Sequence, residues 1–403
     1  MKKEENVDPI VFLIIVGFSW LSLNAISRTH WFDVKNPEIG LGYAFYRTTK
    51  LNNLIDRLAK IKRGVWKFIW DVGVISGLGI LIVSLIIFTI NIPLFFQPST
   101  DGTTSAIALT PVIPGITISF QTLPYFLIAI MIAAIVHEFA HGIAARVEEV
   151  DLKSTGIFIF LVLFGAFVES DEKSLAQKSR RSKIRIMAAG ALANMVVAGI
   201  FILILIIPVG FPLLITPFYD PEPRGTVILE TIPGYPASLE GMKAGYAIIG
   251  INSSNGYEEI SSYSDFRNYS ISSISPNQTL TFYFDGDIDP IVLKTDSHPD
   301  NSSKGFVGIR SWDYFKPRFF PSSPIVNLIP YWSLQTILYV FMINFILAIM
   351  NLLPVPFLDG DKLLTEFLGP KFSKYLPWIR YYALGILGIN LLLSFYFMGW
   401  QQI

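Results

Sequence analysis

The residues best placed to do chemistry are two histidines and a glutamate in one apolar stretch, His137-Glu138-Phe139-Ala140-His141. On a helix, residues four apart turn through about 400°, so both imidazoles project from one face and can share a metal ion. Glu138 lies close enough to take a proton from a water molecule at that metal. The alternative is a polar cluster at a helix end, but charged groups inside an apolar span are costly and usually functional. The spacing therefore predicts a metal site.

A third ligand is needed, because a catalytic zinc ion has three protein ligands and one open position. The chain has no cysteine and four histidines, so the third ligand is expected to be a carboxylate. Asp359 ends the segment NLLPVPFLD, residues 351–359, and precedes Gly360. The two prolines are expected to break the helix and Gly360 to allow a sharp turn, which predicts Asp359 on non-helical backbone beside a polar cavity. The alternative is a helix-stop aspartate in an interfacial loop.

The other charged and imidazole groups are predicted to be solvated. Glu169, the other carboxylate within reach, heads the charged run Ser170-Asp171-Glu172-Lys173, which favours solvent. Interfacial charge is the interpretation for Arg146, Glu148, Glu149 and Asp361, and His30 and His298 lie in polar loops remote from any cluster.

The composition is that of a membrane protein. Hydrophobic residues make up 52% of the 403 residues and charged residues 15%, against about 25% charged in soluble domains. The net charge is zero, so nothing indicates a nucleic-acid partner. Crossing a bilayer takes roughly 20 apolar residues. Six stretches qualify: 9–27, 72–95, 123–145, 186–217, 331–353 and 377–399. The predicted fold class is therefore a polytopic α-helical membrane protein with about six transmembrane helices.

The distribution of Lys and Arg orients these spans. Residues 28–71 and 146–185 are rich in Lys and Arg, whereas 96–122 contains neither. The first two segments are therefore predicted to be cytoplasmic, together with 354–376. The segment 218–330 is predicted to be extracytoplasmic, and all four Asn-x-Ser/Thr sequons fall within it. The proposed metal ligands then lie near the cytoplasmic ends of their helices.

Residues 155–168 are apolar but too short to cross a bilayer. They are rich in Ile, Phe and Val with glycine near both ends, which favours a β-hairpin that re-enters the membrane. A bare strand edge in lipid is costly, so we expect this hairpin to be buried in protein or to line a cavity.

The polar segment 218–330 is predicted to contain a small α+β domain at about 222–316. Strands are predicted at Thr226–Leu229, Tyr246–Ile251, Leu280–Phe284 and Ile291–Lys294, with a turn at Asp285-Gly286 and a short helix between Gly234 and Gly245. This order resembles the PDZ domains of bacterial-type membrane proteases, although Tyr246 stands where that pattern usually has Asp. A PDZ domain alone indicates peptide binding or regulation, not chemistry.

The motifs taken together resemble the site-2 proteases. HEFAHG at 137–142 precedes N-x-x-P-x-x-x-L-D-G at 351–360 on a separate span. GALAN at 190–194 resembles the family's glycine-x-x-x-asparagine signature, and GAFVE at 165–169 resembles a stretch of the branch with the animal and archaeal enzymes. A PDZ-like domain between the asparagine and aspartate motifs is also the family's arrangement. The resemblance covers roughly 120–360.

The resemblance implies one catalytic Zn²⁺ with His137, His141 and Asp359 as ligands and Glu138 as general base. It further implies two substrate-site residues. Asn351 would hold the substrate backbone near the cut, and Asn194 would support the active site from the intervening helix. An asparagine in a span is otherwise a helix–helix contact, and for Asn194 the residues alone leave both interpretations open.

The implied domain organisation has four parts. Residues 1–71 hold the first helix and a cytoplasmic segment, 72–217 and 331–403 form the two parts of the membrane catalytic core, and 218–330 carry the PDZ-like domain with its linkers.

The implied function is an intramembrane zinc metalloprotease of the cell membrane, with its active site toward the cytoplasm. It would cut the transmembrane helices of other membrane proteins as the second cut of regulated proteolysis. The re-entrant segment would hold the unwound substrate as an added strand, and the PDZ-like domain would reject bulky ectodomains. The alternatives are a metal transporter, which would need polar groups along a span, and a non-catalytic scaffold, which would not need Glu138.

Overall fold

The computed structural model describes residues 9–27, 37–97 and 105–399. The prediction for His30, and those for residues 28–36 and 98–104, lie outside this part of the chain.

The contacts divide the chain into two compact units. The first contains Met1–Phe201 and Tyr339–Ile403, and the second contains Ile202–Leu338. All six candidate site residues belong to the first unit, so that unit alone determines the geometry of the site.

The elements in the described residues up to 206 include four long helices and four short strands. In chain order they are α1 (Pro9–Ser27), β1 (Glu38–Gly40), β2 (Tyr43–Thr48), α2 (Lys50–Lys60), α3 (Arg63–Leu94), α4 (Leu123–Val147), β3 (Leu152–Phe160), β4 (Leu163–Ser170), α5 (Glu172–Ala176) and α6 (Arg180–Ile206).

The elements that follow are short and mainly β-strands. They are α7 (Gly210–Ile215), β5 (Thr226–Thr231), α8 (Pro236–Leu239), β6 (Ala247–Ser253), β7 (Gly256–Glu259), α9 (Tyr263–Ser272), β8 (Thr279–Phe284), β9 (Ile291–Lys294), β10 (Asp296–His298), β11 (Asn301–Phe306) and β12 (Ile309–Asp313). The chain ends with α10 (Pro324–Asn351), α11 (Asp359–Phe372) and α12 (Leu376–Met398).

Five helical stretches in the described residues are long and apolar enough to cross a membrane, rather than the six predicted. They are α3, α4, α6, α10 and the stretch Asp359–Met398 that contains α11 and α12. The first predicted span forms α1, but its apolar part, Val11–Ser27, has fewer residues than any of these five stretches. The protein is a polytopic helical membrane protein.

The boundaries of the fourth predicted span, 186–217, were wrong at both ends. Helix α6 begins at Arg180 and ends at Ile206, and a separate short helix, α7, follows. Pro208 explains the break, because a proline lacks the N–H of a helical hydrogen bond and disfavours helical backbone in the residue before it.

The β-hairpin predicted at 155–168 is present as β3 and β4, and it belongs to a larger sheet. The strands are ordered β1-β2-β3-β4, all antiparallel, with Phe45 opposite Phe158 and Phe158 opposite Gly165. A Cβ atom at Gly165 would overlap the ring of Phe158, so this glycine provides the space for the aromatic side chain. The hairpin turn is held by Trp20, whose indole N–H donates to the Leu161 carbonyl at 2.9 Å.

The second unit contains an antiparallel sheet with strand order β12-β5-β6-β8-β9, and β7 pairs with β6. All four predicted strands and the short helix after Gly234 are confirmed. The alternation in β8 explains the packing: Leu280, Phe282 and Phe284 are buried with Ile228 and Ile248, and the residues between them are more exposed. This unit is therefore the β-rich insert that the sequence predicts.

A buried polar network joins this sheet to the first turn of α10. The Tyr314 hydroxyl donates to Asp285 at 2.5 Å, and the Asn327 amide donates to the Gly245 carbonyl at 2.9 Å. Burial acts to raise the pKa of Asp285, but the hydrogen bonds from Tyr314 and Lys316 outweigh it and lower that pKa. The carboxylate is thus charged and hydrogen-bonded, and the network holds the first turn of α10 against the sheet within the second unit.

Candidate metal centre

Helix α4 carries both histidines on one face, as the spacing predicts. His137 is buried, and the two Nε2 atoms lie 3.0 Å apart. Each Nε2 also lies 3.0 Å from the Oδ2 atom of Asp359. The structure therefore brings together all three predicted ligands, although Asp359 lies more than 200 residues from either histidine in sequence.

The backbone at Asp359 differs from the prediction, because Asp359 is the first residue of α11 and not part of a non-helical segment. Helix α10 ends at Asn351, and Phe357, with φ of 79°, reverses the chain before the new helix begins. Gly360 allows α11 to approach the end of α10 closely, and it is not required for a turn. A Cβ atom there would overlap the carbonyl groups of Leu352 and Leu353.

The three ligand atoms fit a bound zinc ion. They form a triangle with edges of 3.0 Å, and zinc bonds of about 2.0–2.1 Å in tetrahedral geometry separate ligand atoms by roughly 3.3 Å. The Nδ1 atom of His141 lies 2.7 Å from the Ile186 carbonyl and donates to it, so in the neutral ring Nε2 carries a lone pair. That lone pair faces a carboxylate, an arrangement that a cation stabilises. Among the described residues, His137, His141 and Asp359 form the group able to hold a metal ion.

Glu138 lies beside this group without belonging to it. Its Oε2 atom accepts a hydrogen bond from the backbone N–H of Val168 on β4, at 3.0 Å. The position next to His137 places Glu138 about 100° around α4 from the first imidazole. Strand β4 thus holds the Glu138 carboxylate next to the three ligands, of which it is not one.

Both predicted asparagines reach His137. The amide of Asn351, at the end of α10, lies 3.4 Å from Nε2, and the amide of Asn194, on α6, lies 3.3 Å from Nδ1. Asn194 is completely buried. The two amides therefore contact opposite sides of one imidazole ring.

Gly190 lies against both imidazoles, a position that the residue types alone do not identify. A Cβ atom there would lie 2.5 Å from Cε1 and 2.6 Å from Nε2 of His137, and would also overlap His141. Gly190 and Asn194 are four residues apart, so they share the face of α6 that lies against the two imidazoles. The G-x-x-x-N spacing was the available signal: glycine gives space, and asparagine contacts the ring.

The prediction of interfacial charge for Glu148 was wrong, because its side chain is buried. Arg185 of α6 donates to Glu148 at 2.8 Å and to Asp71 of α3 at 2.7 Å, so one buried guanidinium joins three helices. The neighbouring Arg146 pairs with Asp56 of α2. Pairing between these ions offsets the desolvation cost of burying them. Arg185 precedes Ile186, the hydrogen-bond partner of His141, so the network holds this part of α6 in place.

The alternative ligands lie elsewhere. The Glu169 side chain is 46% exposed, accepts a hydrogen bond from Ser154 at 2.8 Å and lies near Lys153. His298 belongs to the second unit, where its ring packs against Phe306.

Apolar helices around a His-His-Asp group with an adjacent glutamate define a class of proteins: membrane-embedded metallopeptidases. The sequence profile of peptidase family M50 matches residues 125–389, and the chain belongs to this family, that of the site-2 proteases. The match includes α4, the β3–β4 hairpin, α6, α10 and the Asp359 segment. The protein is therefore a metalloprotease, as the motifs predict.

Two relatives illustrate the relationship. The uncharacterized protein MJ0971 of Methanocaldococcus jannaschii is 29% identical over 361 residues, which cover 89% of this chain and 85% of that protein. The membrane-bound transcription factor site-2 protease homolog of Arabidopsis thaliana is 27% identical over 189 residues, covering 46% of this chain and 35% of the plant protein. The chain is thus similar to the first over most of its length and to the second over about a third of that protein.

Proposed function

We propose that this protein is a zinc-dependent intramembrane protease that hydrolyses peptide bonds in the transmembrane segments of other membrane proteins, as the second of two cuts. The observation that carries the proposal is the 3.0 Å triangle of His137, His141 and Asp359, with Glu138 beside it on an apolar helix. Placing charged and imidazole groups inside a membrane-spanning helix costs free energy, so such groups usually have a function.

The roles of the residues follow from their positions. His137, His141 and Asp359 would hold zinc, which when bound polarises the scissile carbonyl and lowers the pKa of its water. Glu138 accepts the proton of the attacking water and delivers it to the leaving nitrogen. The Val168 N–H keeps the Glu138 carboxylate oriented between these two transfers. Asn351, beside His137, holds the substrate backbone next to the cut, a role taken from the family resemblance.

The substrate segment must be unwound, because a helix hides its amide bonds. We propose that the unwound segment pairs with β4, whose one partner strand among the described residues is β3. The outward N–H of Val168 points to Glu138, so the unpaired side of β4 faces the helix that carries the site. Pairing there would satisfy the substrate backbone in a low-dielectric environment.

The insert within 218–330 is proposed to be a PDZ-like domain on the extracytoplasmic side. Its α+β arrangement and the glycine-flanked helix α8 support this. A folded domain across the bilayer from the site would reject substrates with bulky ectodomains, so that a preceding cut would be needed to remove them. The remaining proposed boundaries are 1–71, 72–217 and 331–403.

The proposed function is tested with the purified full-length protein in liposomes and a panel of single-span membrane proteins. We expect cleavage within the transmembrane segment, loss of cleavage on zinc chelation, and recovery on addition of zinc. Glu138→Gln should lower the rate by about 10²–10⁴ because it removes the general base, yet keep one zinc ion per chain. Wild-type activity that survives complete zinc removal would exclude the proposal.

The proposed orientation can be tested by cysteine labelling, because the chain contains no cysteine that would react in the background. Single cysteines are introduced at three exposed positions, Asn53, Ser179 and Ser254. In intact cells an impermeant thiol reagent should label Ser254→Cys, whereas Asn53→Cys and Ser179→Cys should label after permeabilisation. This follows from the Lys and Arg distribution. Labelling of all three positions from one side would refute the orientation.

A further inference from the structure

Asn194 has an unusual environment for a polar side chain in a membrane-spanning helix. It is completely buried, its amide lies 3.3 Å from Nδ1 of His137, and its Oδ1 atom has no hydrogen-bond partner among the described residues. The amide can present either its NH₂ group or Oδ1 to Nδ1, and the two choices require different protonation of the imidazole ring.

The tautomer of His137 decides between these two choices. If the Asn194 NH₂ group donates to Nδ1, then the proton of the neutral imidazole is on Nε2 and points at Asp359 and His141. That tautomer has no lone pair for a metal. A half-turn of the amide exchanges its two groups and presents Oδ1 to Nδ1–H instead. The Nε2 lone pair then faces the Asp359 carboxylate, as it does in His141.

We propose that Asn194 is a positioning residue that accepts the Nδ1–H of His137 and thereby fixes the tautomer that binds metal. This inference rests on the proposed function. Metal-binding histidines almost always donate their second ring N–H to an oxygen acceptor. For His141 that acceptor is a backbone group, the Ile186 carbonyl. For His137 the group at Nδ1 is the side chain of Asn194. The metal affinity of this site therefore depends on Asn194.

The chain offers a matched control in Asn344 on α10. Asn344 is also completely buried in a membrane-spanning helix and also has an unpaired Oδ1 atom. Its NH₂ group donates to the Val340 carbonyl within its own helix, at 2.8 Å. Replacing either asparagine removes a similar buried amide, but only Asn194 contacts a metal ligand.

The experiment measures zinc affinity of the purified full-length protein by competition with a chelator. We expect Asn194→Leu to weaken zinc binding by about 10–100-fold, the usual loss for removing such a partner. Asn194→Asp should retain wild-type affinity because a carboxylate accepts the same hydrogen bond. Asn344→Leu should also retain it. Asn194→Ala gives a second variant that lacks the acceptor, with less risk of a steric clash.

A second readout separates positioning from a structural role. Thermal unfolding of the zinc-free proteins should shift similarly in Asn194→Leu and Asn344→Leu, whereas zinc affinity should fall only in the Asn194 variants that lack an acceptor. Wild-type zinc affinity in Asn194→Leu or Asn194→Ala would overturn the inference, as would equal losses in Asn194→Asp and Asn194→Leu. If the wild type itself bound no zinc, the proposed function would fail first.

Discussion

Replacing Asp359 by asparagine is expected to abolish proteolysis and to weaken zinc binding by at least about a hundredfold, more than the loss of an outer partner alone. The neutral amide removes the anionic ligand whose Oδ2 lies 3.0 Å from both imidazole Nε2 atoms. The side chain keeps nearly the same shape, so α11 still begins at residue 359 and the fold is retained. The measurement is zinc per chain in the purified variant, alongside cleavage of a single-span substrate.

Two further variants make this result specific. Glu138→Gln should lose activity yet keep its zinc, because Glu138 bonds to the Val168 N–H and is not a ligand. Glu169→Gln should keep both, since Glu169 is half exposed and bonds to Ser154 on the neighbouring strand. A full zinc content in Asp359→Asn, with depletion in Glu169→Gln, would reverse the assignment of the third ligand.

The part of the site that could be predicted is the part that obeys a local rule. His137 and His141 share a face because a helix repeats every 3.6 residues, whatever surrounds it. Asp359 lies far away in sequence, but the absence of cysteine and the scarcity of histidine left few ligands to consider. The β-hairpin was predictable for a similar reason: its apolar run is too short to cross a membrane and rich in strand-forming residues.

The features that were missed depend on packing between distant segments. Strand β2 exists because Tyr43–Thr48 pairs with Thr155–Phe160, and six residues carry too little pattern to reveal such a partner. The buried pairing of Arg185 with Asp71 and Glu148 joins three helices at one depth, a relation that no spacing rule describes. At Asp359 the prolines do end a helix, but an acidic residue is also a favourable start for the next one.

Gly190→Ala is expected to remove the metal site while leaving the fold stable. The added methyl group would lie 2.5 Å from Cε1 and 2.6 Å from Nε2 of His137, well inside contact distance. The imidazoles have little freedom to move away. The Nδ1 atom of His141 is bonded to the Ile186 carbonyl, and that of His137 lies against Asn194. The rings must therefore leave the 3.0 Å triangle, and we expect zinc binding to fall by at least about a hundredfold.

Gly199→Ala on the same helix is the matched control, because a Cβ atom at Gly199 meets nothing within 4 Å. In both variants alanine favours the helix over glycine by up to about 1 kcal/mol. The two effects at position 190 therefore have opposite signs: a more favourable helix, and a metal site without room for its histidines. Gly199→Ala should keep zinc and activity, whereas Gly190→Ala should be folded, zinc-free and inactive. Normal zinc binding in Gly190→Ala would mean that the imidazoles and α6 are farther apart than the structure places them.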